Sequence, residues 1–269
     1  MALRVLTLNI WNRNGPWEER LGAIRSWIGE HQPDLVGLQE VLHPRDPQLG
    51  IDQARQIADG FGYHVAFGSA WELGGIEFGN AVLSRWPIRR SEHFILPNEN
   101  ADESRCLVFA EIAAPFADVP FFVTHLNWRF DEGHIREKQV RAIAEHVARL
   151  APRDGFPPIL VGDFNAEPDA DEVRFLRGRC SLGGTSVHFA DAFGWAGEGP
   201  GVTFARKNVF AAPLREPDRR IDYIFVRGPD QHGRGEPLSA SVVMDEPIQG
   251  VFASDHFGVF ATLRSEPEP

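Results

Sequence analysis

Polar side chains that can bind metal ions or transfer protons recur where apolar segments of this sequence end. In chain order they are Asn9, Glu40, His125, Asp163, Asn165, Asp222, Asp255 and His256. One such residue alone is typical of a turn or a helix cap. A set of this size is not, because carboxylates and imidazoles are costly to bury unless they are paired or bind a metal. The pattern predicts that strand ends bring these residues to one rim of a sheet.

The residue types in this set favour one kind of chemistry. Carboxylate and amide oxygens are the ligands that Mg²⁺ and Mn²⁺ prefer, whereas the sequence has neither a cysteine cluster nor an HExxH helix for zinc. It also lacks a GxGxxG segment after a strand, a GxxxxGK[ST] loop and a GxSxG elbow. Dinucleotide binding, P-loop catalysis and a serine hydrolase therefore have no support. Oxygen ligands together with two histidines fit metal-assisted hydrolysis of a phosphoester.

Helical and strand patterns that would position these residues alternate along the chain. Residues 17–31 place apolar side chains on one helix face, and residues 132–150 give the clearest helical pattern. The predicted helices span 17–31, 51–59, 132–150 and 169–177. The predicted strands span 3–10, 35–41, 63–67, 80–84, 91–96, 105–113, 120–126, 158–162, 202–205, 220–226, 239–244 and 256–263.

Strands outnumber helices in this pattern, and many strands follow one another without a helix between them. This order favours an α/β fold of two packed mixed β-sheets with outer helices over a doubly wound parallel sheet. The Gly- and Pro-rich segments at 151–158, 194–201 and 227–237 are short enough to be loops. We therefore expect a single domain over residues 1–269, with its core at about 3–264.

Composition and charge narrow the range of partners. The 269 residues are 43% hydrophobic and 24% charged, which is typical of a folded globular chain. The formal net charge is −11. An acidic chain repels a polyanion, so a nucleic-acid partner is disfavoured but stays an alternative.

The cysteine count and the apolar segments bear on the compartment. Two cysteines are too few for a disulfide scaffold. No segment approaches the roughly 20 apolar residues of a membrane span. The N-terminal apolar run is interrupted by Arg4 and Asn9, unlike a signal peptide. We expect a monomeric, cytoplasmic protein without a transmembrane segment.

Several sequence segments, taken in order, carry a resemblance to a known family. They read LNIW, LQEV, GNAVLSRWPI, THLNW, GDFNAEP, RRIDYIF and SDHFGV. This set resembles the endonuclease/exonuclease/phosphatase superfamily over about residues 3 to 264, and within it the DNase I-like and sphingomyelinase-like branch. The GDFN and SDH segments are the most specific. The resemblance implies a DNase I-like fold, which is a four-layered α/β/β/α sandwich.

The resemblance implies metal binding by three of the residues. Glu40 resembles the principal metal-binding carboxylate of the family. Asn9 lies beside it in the family pattern and helps to hold metal or phosphate. Asp255 resembles a second metal contact, direct or through water. The implied cofactor is Mg²⁺ or Mn²⁺.

Catalytic roles are implied for five further residues. His256 resembles the histidine that faces the scissile phosphate, and Asp222 resembles the carboxylate that orients it. Asp163 resembles the residue that positions or deprotonates the attacking water. Asn165 should hydrogen-bond the phosphoryl oxygens. His125 occupies the second-histidine position of the deoxyribonuclease and sphingomyelinase branches.

Three more positions bear on the substrate. Arg105, in SRCLVFAEI, and Asn80, in GNAVLSRWPI, are implied as substrate-binding residues. Trp11 stands where the exonuclease III-like branch has an aspartate that contacts metal. This departure disfavours an abasic-site repair enzyme.

These observations predict a divalent-metal-dependent phosphoester hydrolase in which water attacks phosphorus in line. The first substrate hypothesis is a phosphodiester of a small molecule or a lipid headgroup, because the chain is acidic and lacks a basic tail. A metal-dependent endo- or exonuclease on DNA or RNA is second, and a non-catalytic binding protein on the same fold is third. One basic segment is either a solvated loop or a patch that grips an anionic substrate; it contains Arg206, Lys207, Arg215, Arg219 and Arg220.

Overall fold

A computed structural model describes residues 2–99 and 103–267 of the chain. Its strands are β1 (Ala2–Asn9), β2 (Leu35–Pro44), β3 (His64–Leu73), β4 (Ile76–Ser84), β5 (Ile88–Ile95), β6 (Cys106–Ala113), β7 (Asp118–His125), β8 (Ile159–Asp163), β9 (Ala190–Asp191), β10 (Asp222–Val226), β11 (Pro237–Val243) and β12 (Gly258–Arg264). Its α-helices are α1 (Trp17–His31), α2 (Gln53–Ala58), α3 (Gly133–Leu150), α4 (Asp171–Leu176) and α5 (Ala192–Ala196), and 3-10 turns cover Pro47–Leu49 and Ala212–Leu214.

The strands form two mixed sheets. One sheet has the order β11-β12-β1-β2-β4-β3, and the other has the order β5-β6-β7-β8-β10-β9. Each sheet contains a parallel pair, β1 with β2 and β7 with β8, among antiparallel pairs. Parallel neighbours need a crossover connection, and α1 and α3 supply the two crossovers.

Apolar side chains divide the molecule into four layers. A fully buried cluster that includes Val5 and Val161 lies between the two sheets. Helices α1 and α2 pack on the outer face of the first sheet, and α3 and α4 pack on the outer face of the second. Gly37 marks the close approach of the sheets, because a Cβ at this position would lie 2.3 Å from Cγ2 of Val161. The predicted four-layered α/β/β/α sandwich is confirmed.

One end of the sandwich collects the polar strand ends. Asn9 ends β1, His125 ends β7 and Asp163 ends β8. Asp222 begins β10, which runs antiparallel to β8, so Asp222 pairs with Asp163 in the register of the sheet. Because the two sheets pack face to face, this rim combines residues from both of them.

A bulge in β2 brings Glu40 to the same rim. The register of β2 with β4 shifts between Leu38 and Val41, and Glu40 adopts a left-handed backbone with φ +56°. A bulge redirects a side chain that regular alternation would place elsewhere. The predicted strand 35–41 is correct in position, but it continues beyond this bulge to Pro44.

The helix predictions hold where the apolar periodicity is long. The helix predicted at 17–31 is confirmed as α1, and that predicted at 132–150 is confirmed as α3 at 133–150. The shorter predictions at 51–59 and 169–177 correspond to α2 and α4. None of the helices in residues 2–99 and 103–267 is both long and apolar enough to span a bilayer.

One predicted strand is wrong. Residues 202–205 form a loop, in which Phe204 makes isolated bridges to Arg219 and His256. The hydroxyl of Thr203 accepts hydrogen bonds from the backbone N–H groups of Ile221 and Asp222, so this segment braces the start of β10 instead of joining a ladder. The short elements β9 and α5 at 190–196 were not predicted, because two-residue pairing leaves no periodicity to detect.

Candidate active site

Asp163 lies at the centre of the polar rim and is 1% exposed. Its Oδ2 accepts a hydrogen bond from Nδ2 of Asn9 at 3.0 Å. The same oxygen lies 3.4 Å from Nε2 of His125 and 3.7 Å from Nε2 of His256. Residues that are far apart in the sequence therefore meet at one carboxylate oxygen.

His256 is held by a buried carboxylate. Its Nδ1 lies 3.0 Å from Oδ2 of Asp222, whose backbone N–H donates to Oγ1 of Thr203. Burial alone would lower the pKa of His256, but the charges of Asp222 and Asp163 outweigh it and raise this pKa well above the ordinary value. The two carboxylates therefore favour the charged form of His256, whose Nε2 lies 3.7 Å from Oδ2 of Asp163.

The pKa of His125 is shifted in the opposite direction from that of His256. Burial, followed by the charge of Arg105 and that of His256, holds the pKa of His125 well below its usual range. Nη1 of Arg105 lies 3.1 Å from Nδ1 of His125. Because a guanidinium can only donate, Nδ1 of His125 accepts from Arg105, while Nε2 faces Asp163 and the side-chain amide of Asn165. Two imidazoles whose pKa values are shifted in opposite directions thus flank the same carboxylate.

Asn165 is fixed by the turn that follows β8. Its backbone is left-handed, with φ +51°, a conformation that asparagine tolerates better than most residues. Its N–H donates to Oδ1 of Asp163 at 2.8 Å, and its side-chain amide lies 3.1 Å from Nε2 of His125. The sequence step from Asp163 to Asn165 thereby places both side chains on the same side of the site.

Two asparagines hold the Glu40 carboxylate. Nδ2 of Asn9 donates to its Oε1 at 3.2 Å, and Nδ2 of Asn12 donates to its Oε2 at 3.0 Å. Oδ1 of Asn9 accepts from the backbone N–H of Trp11 at 2.9 Å. Asn9 therefore bridges Glu40 and Asp163 through its NH₂ group, and this geometry presents the carboxylates, more than the amide oxygen of Asn9, to a cation.

Asp255 completes the acidic side of the site. It is 5% exposed, and Oγ of Ser254 donates to its Oδ1 at 3.1 Å. Burial raises the pKa of Asp255 to about 7, with Glu40 and Asp163 adding to the shift and His256 opposing it. The pKa of Asp163 is also raised, first by burial and then by Asp222. Negative charge at this rim exceeds the positive charge available to balance it.

A divalent cation fits this donor set. Asp163, Asp222 and His256 present ligand atoms within 4.8 Å of one another. Oδ2 of Asp222 and Nδ1 of His256 already bond to each other, whereas Oδ1 of Asp222 is buried without a hydrogen-bond partner. Oxygen donors and uncompensated negative charge are the conditions that bind a hard cation such as Mg²⁺. Glu40 and Asp255 offer such oxygens without giving up the His256 pair.

Sequence reasoning missed a buried arginine that holds the site together. Arg20, in α1, is 0% exposed. It donates to the carbonyl groups of Ile10, Asn12 and Asn14 on one side and of Ala253 on the other. One guanidinium thus joins the loop after Asn9 to the loop that carries Asp255 and His256. An arginine on a helix face gives no sequence signal for such contacts.

A cavity of about 600 Å³ opens at this rim. Seven of the predicted site residues line it: Glu40, Arg105, His125, Asp163, Asn165, Asp255 and His256. Asn9 and Asp222 lie behind them, each touching a lining carboxylate or imidazole. Aromatic side chains form part of the wall, among them Trp11, Trp71, Trp128 and Phe204.

Asn80 lies apart from this cavity. It is 2% exposed, and its Nδ2 donates to the carbonyl oxygen of Cys106 at 3.0 Å. This bond joins β4 of one sheet to β6 of the other. The structure gives Asn80 a contact between the sheets, and its contact with substrate stays a prediction.

A family model matches this arrangement of elements and motifs. The model of the endonuclease/exonuclease/phosphatase family matches residues 6–256 of the chain. The chain belongs to the endonuclease/exonuclease/phosphatase family. Membership confirms the predicted recognition and places the chain among metal-dependent phosphoester hydrolases.

Several curated proteins are similar in sequence to part or most of this chain. Uncharacterized protein YbhP of Escherichia coli K12 is 30% identical over 173 residues, which are 61% of this chain and 67% of that protein. Tyrosyl-DNA phosphodiesterase 2 of Xenopus tropicalis is 22% identical over 93% of this chain and 63% of its own length. Exodeoxyribonuclease III of Haemophilus influenzae is 26% identical over 64% of this chain and 65% of its own length.

Solved structures of the family share the fold. A D. rerio TDP2 complexed with single strand DNA product superposes with a TM-score of 0.77 at 20% identity, covering 98% of this chain and 99% of that one. An endonuclease/exonuclease/phosphatase from Beutenbergia cavernae superposes with a TM-score of 0.74 at 26% identity, covering 98% of this chain and 72% of that one. Both likenesses extend over both sheets.

Proposed function

We propose that this protein is a phosphodiesterase that cleaves a small-molecule or lipid-headgroup phosphodiester with water as the nucleophile. One observation carries the proposal: two histidines that are far apart in the sequence face the same oxygen of Asp163 inside a cavity. Hydrolysis at phosphorus needs a group that aims water and donors that stabilise the charge developing on the phosphoryl oxygens. The rim provides both. We propose that residues 1–269 act as one domain.

Each residue has a proposed role that follows from its contacts. Asp163 is the only carboxylate touched by both histidines among the described residues, and it is proposed to position and deprotonate the attacking water. His256, kept charged by Asp222, donates from Nε2 to the phosphoryl group. His125, Asn165 and the adjoining Arg105 are proposed to hold the other phosphoryl oxygens.

Glu40 and Asp255 are proposed to hold the metal ion, which is Mg²⁺ or Mn²⁺, with Asn9 fixing the Glu40 carboxylate. A divalent cation at this place neutralises phosphoryl charge and makes phosphorus easier to attack. Asn9 and Asn12 hold the Glu40 carboxylate in one orientation before the metal arrives. Arg20 keeps the two loops that carry Asn12 and Asp255 at a fixed separation.

The cavity lining supports a small substrate over a long polyanion. Its acidic residues are Glu40, Glu103, Asp163, Glu216 and Asp255, whereas its only arginines among the described residues are Arg105 and Arg219. Both arginines are already paired with glutamates of the cavity wall. Binding of a long nucleic acid normally relies on many basic side chains that neutralise successive phosphates, and two arginines are few for that purpose.

DNA is the second candidate substrate, and one observation favours it. The chain matches tyrosyl-DNA phosphodiesterase 2 of X. tropicalis along 93% of its length. We therefore propose nucleic acid as the alternative substrate.

We also propose that a single protomer is the active form and that the protein is located in the cytoplasm. Gel filtration with light scattering tests the protomer count, since a dimer would contradict it.

A substrate screen tests the proposed function. Purified protein with Mg²⁺ or Mn²⁺ is assayed on bis-p-nitrophenyl phosphate, p-nitrophenyl phosphate, choline phospholipids, plasmid DNA, single-stranded DNA and RNA. The proposal expects turnover of a small or lipid phosphodiester at a kcat/KM above that of the nucleic acids. His256→Gln should lose about 10²-fold or more of kcat. The exposed His188→Gln is the matched control. Preferential cleavage of DNA or RNA would contradict the substrate class, and equal rates in the His256 variant would contradict the site.

A further inference from the structure

Arg219 lies in the cavity wall as a guanidinium that the proposed chemistry does not use. Its side chain is 6% exposed and lines the cavity. Its Nη2 pairs with Glu216, whereas its Nε is buried without a hydrogen-bond partner. A buried donor without a partner costs free energy, so the residue is expensive to keep in this place.

Two aromatic rings fix the position of this guanidinium. Cζ of Arg219 lies 4.4 Å from the ring centre of Phe130 and 5.6 Å from that of Phe204. Phe204 in turn packs edge-on against His256, with ring centres 5.0 Å apart. One phenyl ring therefore separates Arg219 from the imidazolium that is proposed to meet the phosphoryl group.

Arg105 occupies a different place relative to the reacting centre. It touches His125 directly at 3.1 Å, so it can share the phosphoryl group with the two histidines. The contacts run from Arg105 through His125, Asp163 and His256 to Phe204 and Arg219. The two arginines thus lie at opposite ends of this series. Arg219 therefore contacts the aromatic wall of the cavity, whereas Arg105 contacts His125.

We propose that Arg219 forms a second anion subsite, so that the preferred substrate carries another negatively charged group beside the ester that is cleaved. This inference rests on the proposed phosphodiesterase function and specifies its substrate class. The acidic lining of the cavity gives an anion few other places to bind. The group next to the scissile ester is a phosphate on a small molecule or the following phosphate of a nucleic-acid strand, and both have the same anionic chemistry.

Glu216 sets the strength of this subsite. Its carboxylate, 20% exposed, is the partner that an incoming anion must displace or share. Replacing the carboxylate by an amide removes the competing negative charge and leaves the shape unchanged. Glu216→Gln is therefore expected to strengthen the preference for a second anionic group, and Arg219→Gln is expected to abolish it.

Matched chromogenic substrates test the proposal. The first pair is the p-nitrophenyl ester of thymidine 5′-phosphate with and without a 3′-phosphate. The second pair is the p-nitrophenyl ester of 1,3-propanediol monophosphate with and without a phosphate on the other hydroxyl, which keeps three carbons between the phosphates. The measured quantity is the ratio of kcat/KM within each pair.

The wild-type protein should prefer the doubly anionic member by about tenfold or more, the effect of one hydrogen bond between charged groups. In Arg219→Gln this ratio should fall to about one, and in Glu216→Gln it should rise. Arg206→Gln is the matched control, since Arg206 is 68% exposed and lies outside the cavity. Circular dichroism verifies folding, and Arg219→Lys, which should retain part of the preference, replaces any variant that does not fold.

The possible results distinguish a failure of the proposed anion subsite from a failure of the proposed phosphodiesterase function. A preference in both pairs indicates any neighbouring phosphate, whereas a preference in the thymidine pair alone indicates a nucleotide source; either outcome supports the subsite. A wild-type ratio of one, or a ratio that Arg219→Gln leaves unchanged, overturns it. Absence of hydrolysis of every phosphoester tested with Mg²⁺ or Mn²⁺ would overturn the proposed function itself.

Discussion

Asp222→Asn should lose most of the catalytic activity without losing the fold, because Asp222 acts through His256. In the wild-type protein Oδ2 of Asp222 accepts from Nδ1 of His256 at 3.0 Å inside a buried pair. The amide keeps the shape of the carboxylate and removes its charge. Two consequences follow: the imidazolium loses its strongest stabilising charge, and the ring can turn its unprotonated nitrogen toward the substrate.

The surroundings of Asp222 and His256 determine how much stability and activity Asp222→Asn should lose. Oδ1 of Asp222 has no hydrogen-bond partner, so an amide nitrogen in its place would be a buried donor without an acceptor, at a cost of about 1–3 kcal/mol in stability. The loss of a preorganised donor to the phosphoryl group corresponds to about 10²–10³ in kcat. The fold should survive, because the layers of the sandwich do not depend on this contact.

A double-mutant cycle measures whether the two residues act as a unit. The values of kcat/KM are determined for wild type, Asp222→Asn, His256→Ala and the double variant, with circular dichroism as the folding control. In the His256→Ala background, Asp222→Asn should change kcat/KM by no more than about threefold. Multiplicative losses of full size in both backgrounds would refute the reasoning, and Asp222 would then act on the metal or the scaffold.

Three further predictions concern stability. Arg20→Met removes the buried donor to carbonyl groups of both site loops and should lower the free energy of unfolding in urea by about 3 kcal/mol or more; a change below 1 kcal/mol would contradict the structural role. Glu172→Ala leaves the buried Arg136 without a carboxylate and should cost about 3–5 kcal/mol, against less than about 1 kcal/mol for Asp171→Ala in the exposed pair on the same helix. Burial raises the pKa of Tyr63 to about 12, and it also raises the pKa of Tyr223 well above the usual value. The unfolded chain ionises near pH 10, so this stabilisation is complete below pH 10 and is lost as the pH rises toward 12. Absorbance at 295 nm should therefore develop only with unfolding, and a tyrosinate signal near pH 10 in folded protein would contradict the burial.

Long helices could be predicted from the sequence, because the residues that they bury recur at a regular spacing along the chain. Helices α1 and α3 bury one face against a sheet, and their apolar residues recur with the helical repeat. The loop at 202–205 could not be predicted, since its β-branched and aromatic residues are typical of a strand. The hydroxyl of Thr203 bonds to Ile221 and Asp222, and contacts across such a distance leave no local pattern.

Some residues of the candidate site could likewise be predicted from the sequence, and others could not. Residues within motifs, such as Asp163 and His256, could be named because their types suit one chemistry and their strands end together. The bulge that turns Glu40 toward the rim depends on pairing between β2 and β4, and no residue spacing encodes it. Arg20 received no functional prediction, because a buried arginine and an exposed one look alike in a sequence, and Arg219 was named only as one member of a basic segment.

The dependence of hydrolysis on a metal held by Glu40 tests the central claim most directly. Metal-depleted protein is titrated with Mn²⁺, and binding by calorimetry is compared with turnover of the best phosphoester for wild type, Glu40→Gln and the exposed control Glu145→Gln. The account predicts no turnover without metal, restoration by Mg²⁺ or Mn²⁺, and at least about tenfold weaker Mn²⁺ binding in Glu40→Gln only. Full activity in chelated protein, or unchanged Mn²⁺ affinity in Glu40→Gln, would contradict it.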